Sequence, residues 1–463
     1  MGNFSDEPLS PAARLMVHPT VNSTIHCALG LKNSVDINAL KSTIKNSLMV
    51  THPRFCSLLS RDKSGREYWI PSEIDIDRHI IIVDKNSYSA GDTTEKIAHD
   101  YVADLCVGTK LSSDKPLWEI HVLEKCLVFR LHHALGDGMS LMSMLLANCR
   151  KAEDPEAVPT LVAGGGRRDK GRAEKKKRSL IRTLIGFIQM VFFTLIFTLE
   201  FVARCLWISD RKTVISGGDG VEMWPRKIVN AMFLIKHMKM VKEVVGDATI
   251  NDVLIGVISA GLSRYFDHRS PNSLKEGDRI TGIAMVNLRE KSGLQDVREM
   301  MKKDSKCRWG NEIGTVLVPI YYQKGIKPLQ YVKSAKELTK LKKRGPVAYW
   351  SHKCRNVSMS LAGMEIMSWV GHKFLCQTTF TISNVIGPQE KITIAGNPIT
   401  FIRVNLTSSP QALAMNMVSY AGKADLQILV AKDIIPDPEF LAKCFEDCLL
   451  EMKEAASTQL PYK

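Results

Sequence analysis

The sequence predicts an α/β (α+β) protein built from two sandwich domains, each a mixed sheet with flanking helices. Three observations lead there. The 463 residues, 45% hydrophobic and 24% charged, suit two or three globular domains rather than a disordered chain. Short runs of alternating apolar residues are interleaved with stretches of helical period throughout. A basic, Pro- and Gly-containing segment then divides the chain into two halves of comparable size. The expected units are a first domain at 1–152, a linker at 153–224 and a second domain at 225–463.

In the first half a strand is expected near Thr24–Leu31 and a helix near Ile37–Leu48, opened by Asp36. Strands near Tyr68–Ile70 and His79–Val83 and a helix near Thr93–Cys106 follow. Trp118–Leu123 and Leu127–His132 form a tight hairpin turning at Glu124-Lys125. The linker carries Pro155, Pro159 and the glycines at 164–166, which lack the lysine and strand context of a phosphate loop. In the second half Thr249-Ile250-Asn251-Asp252 caps a long helix, Val253–Phe266. Strands near Ile280–Val286 and Thr315–Ile320 and a basic helix near Leu329–Lys343 come next. Further strands are expected near Thr378–Ser383, Lys391–Ile394, Ala412–Tyr420 and Leu426–Val430. A last helix, Pro438–Met452, opens on a proline whose missing N–H costs nothing there.

The net charge of +15 is concentrated. Between Arg167 and Arg178 eight basic residues stand against Asp169 and Glu174, a local net of +6. No aromatic platform or helix-turn-helix pattern accompanies it, so nucleic acid is not the expected partner. Instead, Thr183–Leu199 follows without a charged residue. A polybasic run beside an apolar helix (about 183–203) is the pattern of a membrane surface, where cations meet anionic lipid and the apolar face enters the acyl boundary. The eleven cysteines, an odd number with no Cys-x-x-Cys, read as reduced thiols in a cytosolic setting. No signal core is read at the N-terminus, and Asp6 stands where a myristoylation motif wants Ser or Thr.

His132-His133-Ala134-Leu135-Gly136-Asp137-Gly138 is the most chemical stretch. Adjacent strand residues point to opposite faces, so only one of the two histidines can face a given cavity. An imidazole held at a strand end can serve as a general base near neutral pH. Asp137 is placed to cap the helix beginning near Met139, and Gly136 and Gly138 allow a sharp turn and a close approach of substrate. No metal-ligand spacing is seen: His352-Lys353-Cys354 stands alone. No Gly-x-Ser-x-Gly elbow is present, which argues for direct transfer over a serine-borne intermediate.

The heptapeptide, with Glu7-Pro8-Leu9-Ser10-Pro11, Pro116-Leu117-Trp118-Glu119, Asn251-Asp252, Val286-Asn287-Leu288-Arg289, Gly310-Asn311-Glu312-Ile313-Gly314 and Ser383-Asn384-Val385-Ile386-Gly387-Pro388, resembles the plant wax ester synthase/diacylglycerol acyltransferase family. The blocks, with Ser419-Tyr420 and Asp425, lie in family order over almost the whole chain. The resemblance implies two chloramphenicol-acetyltransferase-like domains with a reaction tunnel between them. It implies transfer of an acyl group from a fatty acyl-CoA, used as substrate with no cofactor, to a long-chain fatty alcohol or to diacylglycerol. It makes His133 the base, His132 a structural neighbour, and Asp137 a structural acid paired with Arg289. It sets Asn251, beside Asp252, facing the histidine as an oxyanion donor; a helix cap is the other reading. Ser383 and Asn384 either line the tunnel or mark a strand-to-turn transition. One departure is the Trp118–His132 hairpin, shorter than in plant members, which bears on strand register at His133.

Two alternatives fit the same residues: a non-catalytic acyl-CoA- or lipid-binding protein of the same fold, and a soluble acyltransferase of plant secondary metabolism. The latter's Asp-Phe-Gly-Trp-Gly block is absent here. A single membrane span at the apolar segment would set His133 and Asn251 on opposite sides, so a helix lying in the cytosolic leaflet is expected. The endoplasmic reticulum is the expected membrane, with the plasma membrane second and cuticular wax as the setting.

Overall fold

The computed structural model describes residues 7–459, apart from 64, 85–90, 109, 161–179, 291–292, 303, 306 and 344–346. The polybasic run lies outside the described residues.

The first half contains β1 (Glu7–Pro8), α1 (Pro11–Val17), β2 (Thr24–Leu31), α2 (Ile37–Lys45), β3 (Ser57–Arg61), β4 (Glu67–Pro71) and α3 (Ile76–His79). It continues with β5 (Ile80–Ile82), α4 (Thr94–Val107), β6 (Trp118–Leu123), β7 (Cys126–His132), α5 (Gly138–Ala147) and β8 (Cys149–Lys151). Helix starts follow capping chemistry: Asp36 Oδ1 accepts from the Ala39 N–H at 3.0 Å, and Thr93 and Asp137 do the same for α4 and α5. Helix α2 stops short of Leu48 because Ser47 caps a separate 3₁₀ turn, Leu48–Val50. Similarly, Asp75 caps α3, so the strand expected from His79 begins at Ile80.

The two-residue hairpin holds. β6 and β7 pair without a shift from Trp118↔Leu131 to Leu123↔Cys126, so the short turn leaves the register into the histidines intact. Both faces of β2 and β7 are covered, which explains why every residue of each is buried.

After the linker come α6 (Leu180–Leu206), β9 (Arg226–Leu234), α7 (Ile235–Val245), α8 (Ile250–Arg269), β10 (Arg279–Asn287), α9 (Val297–Met300), β11 (Ile313–Tyr321) and α10 (Pro328–Lys343). Then follow α11 (Val347–Cys376), β12 (Phe380–Ile386), β13 (Ile392–Ile394), β14 (Asn397–Leu406), β15 (Leu413–Tyr420), β16 (Lys423–Ala431) and α12 (Pro438–Ser457). Helix α8 is buried on nearly all sides among α10, α12 and the sheet, and α11 is two helices joined at Gly363, whose backbone is not helical (φ 81°, ψ 170°). Among the described residues, no single helix is long and apolar enough to cross a membrane.

A seven-stranded sheet has the order β5-β6-β7-β2-β14-β13-β8 and a six-stranded sheet the order β11-β10-β12-β15-β16-β9. Both mix parallel and antiparallel pairs. The division at residue 225 needs a correction, because β13 and β14 leave the second half. They pair with β8 and β2, completing the sheet that carries the histidines.

Candidate active site

Strand alternation decides which histidine meets the cavity. On β7, Leu127, Phe129 and Leu131 pack into one core, and Cys126 and Val128 into another on the opposite face. Phe129, Leu131 and His133 line a mostly apolar cavity of about 650 Å³, bounded by residues of both sheets. That volume falls within the ~300–1,000 Å³ usual for ligand pockets.

His132 turns away. Its Nδ1 accepts the Ala134 N–H at 3.1 Å, so the ring proton sits on Nε2, 3.4 Å from Asn22 Oδ1. Burial first, and the neighbouring His133 second, push its pKa down to about 3, leaving it neutral.

His133 is held by a residue from the other half of the chain. Its N–H donates to the Ser23 carbonyl at 2.8 Å. Asn311 Nδ2 donates to the His133 carbonyl at 2.8 Å, and Asn311 Oδ1 lies 2.9 Å from His133 Nδ1. The first contact fixes the amide's orientation, since an oxygen there would face another oxygen. Oδ1 therefore accepts, Nδ1 carries the proton, and Nε2 holds the ring's basic lone pair.

Around this pair is a buried polar clamp. Asp137 Oδ1 accepts the Ser140 N–H at 3.0 Å, capping α5. Its Oδ2 takes Arg289 Nη1 at 2.7 Å and the Glu312 N–H at 3.0 Å. Both side chains of the Arg289–Asp137 pair are 1% exposed. Arg289 also donates to the Ser140 hydroxyl (3.0 Å) and to the carbonyls of Gly310 (2.9 Å) and Arg308 (3.0 Å). Trp309 Nε1 adds a bond to the Leu135 carbonyl at 2.7 Å. The loop 308–312 is thus laced to the histidine turn. With both carboxylate oxygens committed, Asp137 is a structural acid and does not polarise the imidazole.

The glycines serve this packing. A Cβ at Gly136 would sit 2.9 Å from the Ser140 Cβ, and one at Gly138 3.1 Å from Val385. Gly310, with φ at +130°, adopts a backbone that other residues rarely hold.

The structure places Asn251 differently from the oxyanion expectation. It is exposed, it is not among the residues lining the cavity, and its Oδ1 accepts from Asn384 Nδ2 at 2.7 Å. Nor is it the cap of α8. Thr249 is, in a reciprocal capping box with Asp252, whose Oδ2 accepts the Thr249 N–H at 2.6 Å. Ser383 and Asn384 do line the cavity. Ser383 donates to Asn416 Oδ1 at 2.6 Å. The buried Asn416 Nδ2, in the same wall, has no hydrogen-bond partner among the described residues.

Two buried amides of the site escaped sequence reasoning. Asn311 lay inside a recognised block but gave no local sign of its role. Asn416 sits mid-strand, where a buried amide in an apolar run was the only signal. The sequence also showed no metal-ligand spacing, yet the fold brings Asp219, His372 and Cys376 together with ligand atoms within 4.8 Å of one another. His372 and Cys376 are one helical turn apart on α11, the spacing that local reading overlooked.

Residues 30–254 match the family model for the wax ester synthase/diacylglycerol acyltransferase catalytic domain, and residues 309–453 the model for the C-terminal domain of that group. The chain is 34% identical to wax ester synthase/diacylglycerol acyltransferase 2 of Arabidopsis thaliana, over 98% of this chain and 96% of the relative. Among solved structures, the wax ester synthase/diacylglycerol acyltransferase from Marinobacter aquaeolei VT8 superposes with a TM-score of 0.59, at 16% identity, over 97% of this chain and 100% of that one. A trichothecene 15-O-acetyltransferase from Fusarium sporotrichioides gives a TM-score of 0.61 at 12% identity, over 96% and 95%. At those identities the solved structures speak for the fold alone, a chloramphenicol-acetyltransferase-like pair of sandwiches.

Proposed function

The chain belongs to the wax ester synthase/diacylglycerol acyltransferase family, and from that premise we propose that it esterifies long-chain fatty alcohols to wax esters and diacylglycerol to triacylglycerol. Acyl-CoA is the donor and His133 the general base. His133 Nε2 takes the hydroxyl proton as the acceptor oxygen attacks the thioester carbonyl. The C–S bond then breaks, and the departing CoA thiolate regains a proton from the imidazolium, so the ring ends as it began. The observation that carries this reading is the Asn311 contact, which protonates Nδ1 and leaves Nε2 basic in a cavity-lining imidazole. Asn311 is a positioning residue in this scheme. A second reading, a lipid- or acyl-CoA-binding protein without turnover, drew on the short hairpin, and the unbroken β6–β7 register removes that motive.

Membrane association belongs to the same proposal. The described residues of α6 expose a row of large apolar side chains, and the polybasic run precedes them in the chain. The two halves share a sheet and meet at His133–Asn311, so α6, which lies between them in sequence, cannot leave them on opposite sides of a bilayer. We place the enzyme on the cytosolic face of the endoplasmic reticulum, with the plasma membrane as the second site.

The test is transfer of a radiolabelled acyl group from acyl-CoA to a fatty alcohol and to diacylglycerol by the purified chain. Wild type forms both esters, and His133→Ala loses about 10²–10⁴-fold in rate. Full esterification by the variant would overturn the mechanism, and acyl-CoA binding without turnover by wild type would favour the second reading.

A further inference from the structure

We propose that the lipid acceptor reaches the cavity sideways out of the bilayer, through a portal between α6 and the C-terminal part of α11. The proposal rests on the membrane association argued above and assigns it a purpose.

Helix α6 serves two surfaces at once. Ile188, Val191, Phe192, Leu195, Ile196 and Leu199 are exposed and recur at intervals of three and four residues, one stripe of a helix. At the C-terminal end of that stripe, Thr198, Phe201 and Val202 line the cavity while remaining exposed, Val202 at 43% and Phe201 at 36%. A residue that is both wall and surface marks a mouth. The cavity therefore opens beside the apolar stripe.

The other jamb is α11. Met367, Val370, Gly371, Phe374 and Leu375 fall on one helical face and line the cavity. Ile366 and Trp369, on the face away from them, are exposed. The two helices touch ring to ring, with Phe201 and Phe374 centroids 4.6 Å apart. The passage is bounded by side chains that a lipid tail can slide past, since apolar contact has no direction to satisfy.

The flanks of the stripe identify what covers it. A bilayer suits them, because eight basic residues between Arg167 and Arg178 precede α6 in the sequence and cationic side chains favour anionic lipid. Just after α6, Trp207 is 77% exposed, an amphipathic ring of the kind that sits at the headgroup level. This same C-terminal end of the helix is tied to the protein: Arg204 bonds Asp210 at 3.0 Å and Glu200 pairs with Arg279. The stripe can thus lie in lipid while the cavity mouth stays registered against the body. A long-chain alcohol or diacylglycerol resides in that lipid, and lateral passage spares it a transit through water. The charged nucleotide of acyl-CoA is excluded from the same route.

Gly371 supplies the test. A Cβ there meets no heavy atom within 4 Å, so a larger side chain fills open space at the portal without displacing the fold. In a helix, leucine is also better tolerated than glycine. The full chain is assayed on vesicles of phosphatidylcholine and phosphatidylserine containing diacylglycerol, and separately with a short water-soluble alcohol. For Gly371→Leu, the ratio of kcat/KM for vesicle diacylglycerol to that for the soluble alcohol falls at least tenfold. Both reactions share the donor and His133, so changes in donor binding or chemistry cancel in that ratio. An unchanged ratio overturns the portal. Leu195→Asp/Leu199→Asp is scored separately by flotation, with its thermal midpoint as the check on folding. Loss of flotation supports the membrane reading on which the portal rests. Undiminished flotation, or a wild type that runs as a dimer in size-exclusion chromatography while the variant runs as a monomer, overturns that reading whatever the Gly371→Leu ratio shows.

Discussion

The cavity is bordered by two regions built on opposite rules. At the His133 end, Asp137, Arg289, Ser140, Gly310 and Asn311 are buried, and their hydrogen bonds are directional and largely mutual. At the α6 end, exposed apolar side chains face outward and their attraction to a partner has no preferred direction. Proton transfer needs an imidazole fixed in position and tautomer, which only satisfied polar contacts in a dry setting can provide. Passage of a flexible chain needs the reverse: a wall that binds without fixing.

The sharpest way to break this contrast is at the clamp. Arg289→Ala removes one partner of a buried ion pair and leaves the Asp137 carboxylate facing the Ser140 and Glu312 N–H groups alone. Loss of a buried partner of this kind costs about 3–5 kcal/mol. Urea unfolding of the variant should show a loss in that range, and esterification should fall with it as the loop 308–312 loosens. The double change Asp137→Leu/Arg289→Met should be less destabilised than Arg289→Ala, because no charge is stranded. Equal stability of wild type and Arg289→Ala would mean that the clamp is ornamental.

The clamp also shows what a sequence can and cannot disclose. Asp137 before an apolar helix is a local capping signal, and β7's alternation told that one histidine faces a cavity. Neither needs the fold. The hairpin at Glu124-Lys125 and the helix opened by Asp36 are legible for the same reason. Asn311, 178 residues beyond His133, acts through a contact that no periodicity encodes. The cluster of Asp219, His372 and Cys376 likewise joins a loop to a helix. Strand β14 was hidden because its partner β2 belongs to the other half of the chain. Helix α11 was missed for a different reason. Its break at Gly363 interrupts the period, and past the break both faces carry apolar residues, one toward the cavity and one outward. Asn251 misled because a residue at the head of a well-formed helix suggests a role that its outward position does not allow.

A smaller effect tests the packed region by pH. Burial, as the largest cause, holds His26, His52 and His132 down at about 3, against an ordinary value of 6.5. Between pH 3 and 6.5 the unfolded chain binds more protons than the folded one, so stability rises with pH through that window. The stabilisation is fully present above pH 6.5 and is lost as pH falls toward 3. At pH 5.5 each histidine should cost roughly 1 kcal/mol relative to neutrality. Thermal midpoints measured from pH 7.5 down to 5.5 should fall accordingly. His79 and His99, held at about 4 by burial, contribute in the same window, so His132→Gln should flatten the slope by about one fifth, and a flat profile in wild type would contradict the burial of these rings.

The smallest stability effect belongs to the other region, and its smallness is the point. Leu199 is 66% exposed on the α6 stripe and is not among the residues lining the cavity. Leu199→Ser should leave the unfolding free energy within about 0.5 kcal/mol of wild type, as surface changes usually do. The same change should weaken binding to phosphatidylcholine/phosphatidylserine vesicles, because burying a leucine side chain in lipid is worth about 1.5–3 kcal/mol, or roughly tenfold and upward in partition. Co-sedimentation over a lipid series measures that shift. A loss of stability with no change in vesicle binding would place Leu199 in the protein's own packing and erase the difference between the two regions. Retained stability with weakened binding would mean that the enzyme's chemistry and its address are carried by separable surfaces of one protein.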